Sequence, residues 1–285
     1  IVQAQPVSES LYFYEGQYAV EPLAVPDARA LKTQTAEYQL ALPAQNRLLP
    51  EQFELANTTS EPRQIIDEPG LSVWLQGSEA FADLPRGYAQ VYLNSPLRQQ
   101  EVDAAVMMVL WSDLYGLQQT ALINEASIAG MGLSLGLDEG LRLTISGFTD
   151  KQPELLTAAL AGLRVDPDQQ ALDQAIDRFV RGLENRKREL PFRQLGRTLS
   201  SLTRTGFYDE ASLLDAVAEV TPARFNAFVE RVLDTALIRV YLFGNYDQAF
   251  AKDLTQTLQS ALPEQRTGAT EYIRERVYSP VPDQT

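Results

Sequence analysis

The sequence predicts an α+β fold, one mostly antiparallel mixed sheet backed by helices, with an extended segment at its N-terminal end. Three observations predict it. Hydrophobic residues make up 45% of the 285 residues, enough to fill one large core. Apolar and polar residues alternate with a period of two in several short stretches, as half-buried strands require. Stretches of helical spacing lie between them, and the order of strands favours hairpins over parallel crossovers.

Residues 1–65 carry weak signals. Tyr12, Phe13, Tyr14 and Tyr18 form an aromatic cluster that fits a strand. Prolines at Pro22, Pro26, Pro43 and Pro50 disfavour regular elements, so an extended linker is expected before the main fold. Leu71, Val73 and Leu75 then alternate with Ser72, Trp74 and Gln76. Ala89, Val91 and Leu93 alternate after a polar connection from Gly77 to Gly87, and the two stretches read as a long hairpin.

Asn94-Ser95-Pro96 punctuates a switch to helical spacing at Val102, Ala105, Val106, Val109, Leu110, Leu114 and Leu117. Met107, Met108 and Trp111 widen the apolar arc, so this helix is expected to be buried on most sides; core packing explains the three better than a pocket does. Residues 119–129 read as a second helix ending near Gly130. Leu133, Leu135, Leu137 and Leu141, Leu143, Ile145 flank Asp138-Glu139-Gly140, the clearest hairpin in the chain. A helix follows over 152–163, and Asp166-Pro167 reads as a cap and first-turn proline opening the next. Leu172, Ile176, Phe179, Val180 and Leu183 give that helix one apolar face. Further helices are expected at 192–204, 211–219 and 222–234, the last opened by Thr221-Pro222. Ile238, Val240 and Leu242 form a final strand, and Phe250, Leu254, Leu258 and Leu262 a final helix.

Composition excludes several chemistries. There is no cysteine and no histidine, so disulfides, thiolate nucleophiles, imidazole general bases and the usual zinc ligands are absent from this sequence. The net charge of −14 argues against a nucleic-acid partner. The acidity is uneven: residues 1–62 hold 3 basic and 8 acidic groups and 63–163 hold 5 and 12, whereas 164–247 hold 12 and 13. No apolar run is long enough to span a membrane. The opening Ile1-Val2-Gln3-Ala4-Gln5-Pro6 has neither an initiator Met nor a secretory pattern, so the chain reads as a piece of something longer. Any targeting signal would lie outside it, and the compartment, bacterial periplasm or cytoplasm, is not legible here.

Three stretches carry a family resemblance. Leu143-Thr144-Ile145-Ser146-Gly147-Phe148-Thr149-Asp150-Lys151-Gln152-Pro153 resembles part of the third domain of insulinase/pitrilysin zinc metallopeptidases. The run from Leu42 through Pro43, Asn46, Pro50 and Phe53 to Leu55 is similar to the segment entering the linker between the halves of those enzymes. The run from Leu213 to Val220-Thr221, closing at Leu242-Phe243-Gly244-Asn245, is similar to the end of the third domain. The resemblance implies a metallopeptidase LuxS/MPP-like fold, and four such domains paired into two halves around a peptide chamber. It divides this chain into the tail of domain two (1–38), the inter-half linker (39–65), a non-catalytic domain (66–262) and a connection onward (263–285). The partners it implies are the other domains of the same polypeptide and, through the full enzyme, peptide substrates.

The family's zinc motif, H-x-x-E-H, belongs to another domain. The helix in the corresponding place here, Val102 to Asp113, offers apolar residues where ligands would sit, so no catalytic, metal or cofactor residue is assigned, and zinc is expected only in the catalytic domain of the parent protein. Glu101 and Asp103 are two apart and fit a solvated first turn; Asp138 and Glu139 fit a hairpin turn; Gly130, Gly132 and Gly136 lack the Lys-Ser/Thr of a phosphate loop. Two candidate surfaces remain. One is the linker, with Pro43, Asn46, Pro50 and Phe53. The other is a basic run of Arg181, Arg186, Lys187, Arg188, Arg193 and Arg197, which reads either as an exposed helix surface paired with Asp177, Glu184 and Glu189 or as a patch facing a neighbouring domain. An alternative to the peptidase-segment reading is a free-standing, catalytically inactive scaffold or binding module of the same fold.

Overall fold

The computed structural model describes residues 9–13, 15–20, 44–262 and 276–278. It divides into two compact units, Ile1–Gln45 and Asn46–Thr285. In the first, β1 (Glu9–Ser10) pairs antiparallel with β2 (Gln17–Tyr18). Tyr12 and Phe13 sit in the connection, edge to face at 4.7 Å, so the strand expected across the aromatic cluster is a short hairpin with its rings at the tip. Tyr14 and Pro43 lie outside the described residues.

The second unit is built on six strands: β3 (Arg63–Glu68), β4 (Leu71–Gln76), β5 (Arg86–Asn94), β6 (Gly132–Asp138), β7 (Gly140–Phe148) and β8 (Leu237–Gly244). Their order across the sheet is β3-β4-β8-β5-β7-β6, with β4–β8 parallel and every other neighbour antiparallel. The expected hairpin of β4 with β5 is therefore corrected. β8 is inserted between them, and the polar connection, which holds a 3₁₀ turn at Glu79–Phe81, steps over its end. The close approach at that end needs glycine. A Cβ on Gly244, at φ +135°, would stand 2.6 Å from the Cα of Gly87.

Nine helices complete the described part: α1 (Leu97–Gln100), α2 (Val102–Gln118), α3 (Thr120–Ile128), α4 (Gln152–Ala161), α5 (Gln169–Arg186), α6 (Pro191–Thr203), α7 (Glu210–Ala218), α8 (Pro222–Thr235) and α9 (Gln248–Ala261). α2 is the central one, with Val106, Met108, Leu110, Trp111 and Tyr115 buried beside Val91, Leu93, Leu143, Ile145, Val240 and Leu242 of the sheet. Its polar atoms are satisfied: Trp111 donates from Nε1 to the Leu163 carbonyl at 2.8 Å and Tyr115 from its hydroxyl to Ala159 at 3.2 Å. The opposite sheet face carries Trp74, Tyr88, Tyr92, Tyr241 and Phe243, half-buried or exposed. No described helix is long and apolar enough to cross a membrane.

Side-chain caps fix several helix starts. Asp168, Asp209, Thr221 and Asp247 accept from the amides of Ala171, Ser212, Arg224 and Phe250. The start of α5 is thus two residues later than expected. Asp168 is its cap, while Asp166 accepts from Nδ2 of Asn226 at 2.6 Å and ties the entry of α5 to α8. Glu101 and Asp103 are more than solvated first-turn acids. Glu101 takes both Nη atoms of Arg231, at 3.0 and 2.6 Å, and Asp103 pairs with Arg224 at 2.8 Å, joining the start of α2 to α8.

Candidate functional site

Residues 46–60 form no regular element, yet they are bound along one end of the domain by contacts from far away in sequence. A backbone without a ladder must find partners elsewhere, and here side chains supply them. Asn46 closes a turn by accepting from the Leu48 amide at 2.8 Å, and its Nδ2 donates to the Glu125 carbonyl at 2.7 Å. Leu48 is fully buried in the main core. After Pro50, the amides of Glu51 and Gln52 both donate to Oδ2 of Asp150, at 2.9 and 3.2 Å, and Lys151 pairs with the Glu51 carboxylate at 2.8 Å. That contact raises the pKa of Lys151.

Phe53 meets Phe148 edge to face at 5.8 Å, and the Arg86 guanidinium lies 4.9 Å from the Phe148 ring centre. Asn245 then behaves as a surrogate strand: its Oδ1 accepts from the Ala56 amide at 2.7 Å and its Nδ2 donates to the Ala56 carbonyl at 3.3 Å. The Gly77 amide, finally, donates to Thr59 at 2.7 Å. The segment is a strap, pinned at five points.

Apart from Glu125 and Gly77, the residues that pin it come from the three stretches singled out in the sequence. Phe148, Asp150 and Lys151 belong to one, Asn245 to another, and Asn46 and Phe53 to the strap itself. Gln152 is wholly buried beneath the seam, with Nε2 donating to the carbonyls of Gly87 and Gly147 at 3.1 and 3.2 Å. Its Oε1 accepts the Tyr246 hydroxyl at 2.7 Å. Burial raises the pKa of that hydroxyl, so it stays a donor. Gly147, at φ +110°, lets the turn pass 2.6 Å from the Gly130 carbonyl measured to a Cβ it lacks.

Of the linker residues expected from sequence, the structure brings Asn46, Pro50 and Phe53 into this seam; Pro43 falls outside the described residues. Asp150 and Asn245 stand in the resembling stretches but are not among the site residues expected there, and Glu125 lies outside those stretches. Their signal was weak, because acids and asparagines in turns normally serve their own turn.

The basic residues lie on α5, the following turn and α6. Arg181 pairs with Asp177, and Arg197 with Glu189 at 2.8 Å, which holds the Glu189 carboxyl below its usual pKa. Arg197 also donates to the Arg186 carbonyl at 3.1 Å. Arg186, Lys187, Arg188 and Arg193 make no side-chain ion pair among the described residues. Of these, Arg186 and Arg193 border, with Arg98, Phe179, Arg197 and Phe207, a groove of about 630 Å³ between α6 and the body.

The fold and seam define a helix-backed sheet domain with an entering strap fastened by the domain's own turns. The profile of the middle or third domain of peptidase M16 matches residues 2–216, and the chain belongs to that metallopeptidase family as a middle-region segment. It is 24% identical over 262 residues to Protease 3 of Escherichia coli (strain K12), covering 90% of this chain and 27% of that protein. It is 25% identical over 260 residues to insulin-degrading enzyme of Bos taurus, covering 88% and 25%. The crystal structure of pitrilysin superposes with a TM-score of 0.79 at 24% identity, over 94% of this chain and 29% of that one. A peptidase M16 inactive domain from Pseudomonas fluorescens gives 0.57 at 14%, over 73% and 52%. The chain thus spans about a quarter of the length of the curated relatives it matches.

The family's implied zinc ion does not fit the residues present. Ala104, Ala105, Val106, Met107, Met108, Leu110 and Trp111 of α2 are buried apolar side chains, and the sequence holds no imidazole to replace them. Among the described residues no group of three or more His, Cys, Asp or Glu is placed to hold a metal.

Proposed function

We propose that the chain is the non-catalytic third domain of a zinc metalloendopeptidase, forming part of the wall of a peptide chamber, with the strap joining the two halves of the enzyme. On this reading residues 1–38 end the preceding domain, 39–65 are the linker, 66–262 the domain and 263–285 the onward connection. The observation that carries it is the fastening of residues 46–60 by Asp150 and Asn245. A linker held by buried and bidentate contacts moves with its domain and passes displacement from one half to the other, whereas a loose one absorbs it. Zinc, and the carboxylate that activates its water, would be supplied by another domain of the parent protein.

The test is made in the full-length protein. Asp150→Ala with Asn245→Ala is expected to change peptide turnover severalfold while zinc content stays at the wild-type value. Equal turnover in the two forms would refute the coupling role. Loss of zinc together with activity would show damage beyond the seam.

A further inference from the structure

The sheet face turned away from α2 carries a pocket of about 470 Å³. Trp74 of β4, Tyr241 of β8 and Tyr92 of β5 lie along it, and the β6–β7 turn at Asp138 and Glu139 closes one end. Trp74 and Tyr241 are register partners on parallel neighbouring strands, so they leave the same face about 5 Å apart at the backbone. A pocket of this size holds one large side chain with the backbone on either side of it.

The polar groups around the pocket are mostly engaged with one another. Asp138 pairs with Arg142 at 3.2 Å and accepts from the Glu139 amide at 2.9 Å. Asn94 donates to the Glu139 carbonyl at 3.2 Å. The Tyr92 hydroxyl donates to Gln90 at 2.9 Å, and the Tyr241 hydroxyl to Gln76. Neither Glu139 nor Arg239, which also line the pocket, is free. What remains open is aromatic surface and an indole donor. Trp74 is half-buried, and its Nε1 makes no hydrogen bond among the described residues.

We infer that this pocket is a peptide subsite that takes a large uncharged side chain, aromatic or aliphatic, with a neighbouring peptide carbonyl accepting from Trp74 Nε1. The inference deepens the proposed reading of the chain as a chamber wall and rests on it: helices back one face of the sheet, so the bare face is the one open to what the chamber holds. The chemistry of the rim selects the ligand. A charged side chain would lose its hydration here against a carboxylate and a guanidinium that already neutralise each other. A sugar needs several free donors and acceptors, and most of these are engaged. An apolar side chain needs ring surface, and its backbone needs a donor such as the indole N–H.

The sequence holds two tryptophans, and Trp111 is wholly buried, so a ligand on this face is read in Trp74 emission. The 285-residue chain is titrated with acetyl-Gly-Gly-Phe-Gly-Gly-amide and with the same peptide carrying Ala, Lys or Glu at its centre. The phenylalanine peptide is expected to shift the emission saturably. It should bind about tenfold to a hundredfold more tightly than the alanine peptide, through the apolar area it removes from water. The lysine and glutamate peptides should do no better than alanine. By calorimetric titration, Trp74→Ala is expected to erase the preference. Trp74→Phe, which keeps a ring and removes the donor, should keep the preference at severalfold lower affinity, with an unfolding temperature near wild type. No saturable change, equal binding of the four peptides, tighter binding of a charged one, or a preference unchanged in Trp74→Ala overturns the subsite. So does an emission change with cellotetraose and none with any peptide.

In the full-length protein, Trp74→Ala is expected to raise KM for a longer phenylalanine-containing peptide severalfold, and by more than it lowers kcat. Zinc content and cleavage by the wild-type protein report separately on the enzymatic reading. Their absence, with the phenylalanine preference intact in the 285-residue chain, refutes that reading and leaves the peptide site standing. Cleavage with KM unmoved by Trp74→Ala does the reverse.

Discussion

Replacing Gln152 by Leu is expected to cost about 3–5 kcal/mol of unfolding free energy. The side chain is wholly buried and makes three hydrogen bonds: two to the carbonyls of Gly87 and Gly147, one from the Tyr246 hydroxyl. Gly87 and Gly147 are partners across the β5–β7 ladder, so the amide closes the end of that ladder and links it to the loop after β8. Leucine has nearly the right volume but strands two carbonyls and a buried hydroxyl, each costing about 1–3 kcal/mol when left unsatisfied. Tyr246→Phe removes one bond and one of the groups needing it, so its cost should be near 1 kcal/mol. Denaturant titration with an unchanged m-value checks both. A loss below about 1 kcal/mol for the leucine variant would show that water replaces the amide without penalty.

Leu48→Ala is expected to cost about 2–5 kcal/mol. Leu48 has no exposed surface, although the strap around it is extended and largely solvated. Its burial is the largest apolar contribution the strap makes to the domain core, and truncation leaves a cavity that flanking residues, fixed by Asn46 and Pro50, are poorly placed to fill. The neighbouring Leu49, 46% exposed, provides the control: Leu49→Ala should fall within about 0.5 kcal/mol of wild type. Similar costs for the two would mean that the strap is not seated as described.

Much of the fold was legible because half-buried strands and helices write their period into the sequence. Leu71 to Leu75, Leu141 to Ile145 and Ile238 to Leu242 alternate as expected, and the helices at α2, α8 and α9 follow their apolar stripes. Periodicity does not name partners, however. Nothing in residues 71–93 announces that β8, some 160 residues later, will separate β4 from β5. β3 escaped for a different reason. Its only partly buried residues, Ile65 and Ile66, are adjacent, because the register shifts between Gln64 and Ile66, so the alternation that marks a strand is broken at its centre.

The seam was legible as three resembling stretches but not as one place. Asp150 and Asn245 look like turn residues, and their partners in the strap lie 98 to 189 positions away, a separation no local pattern encodes. The exposed apolar stripe of α6 was hidden by the opposite bias. The arginines drew notice as charges, whereas Phe192, Leu195, Leu199 and Leu202 are exposed yet have the spacing of an ordinary buried stripe.

Whether residues 46–60 are part of the folded domain is read from amide hydrogen exchange at Glu51, Gln52 and Ala56. Their partners are side chains rather than a helix or sheet, so protection there can come only from the seam. Exchange there is expected to be slowed by about a hundredfold or more relative to free peptide, with that slowing lost in Asp150→Ala with Asn245→Ala. Exchange at the free-peptide rate in the wild-type chain would contradict it.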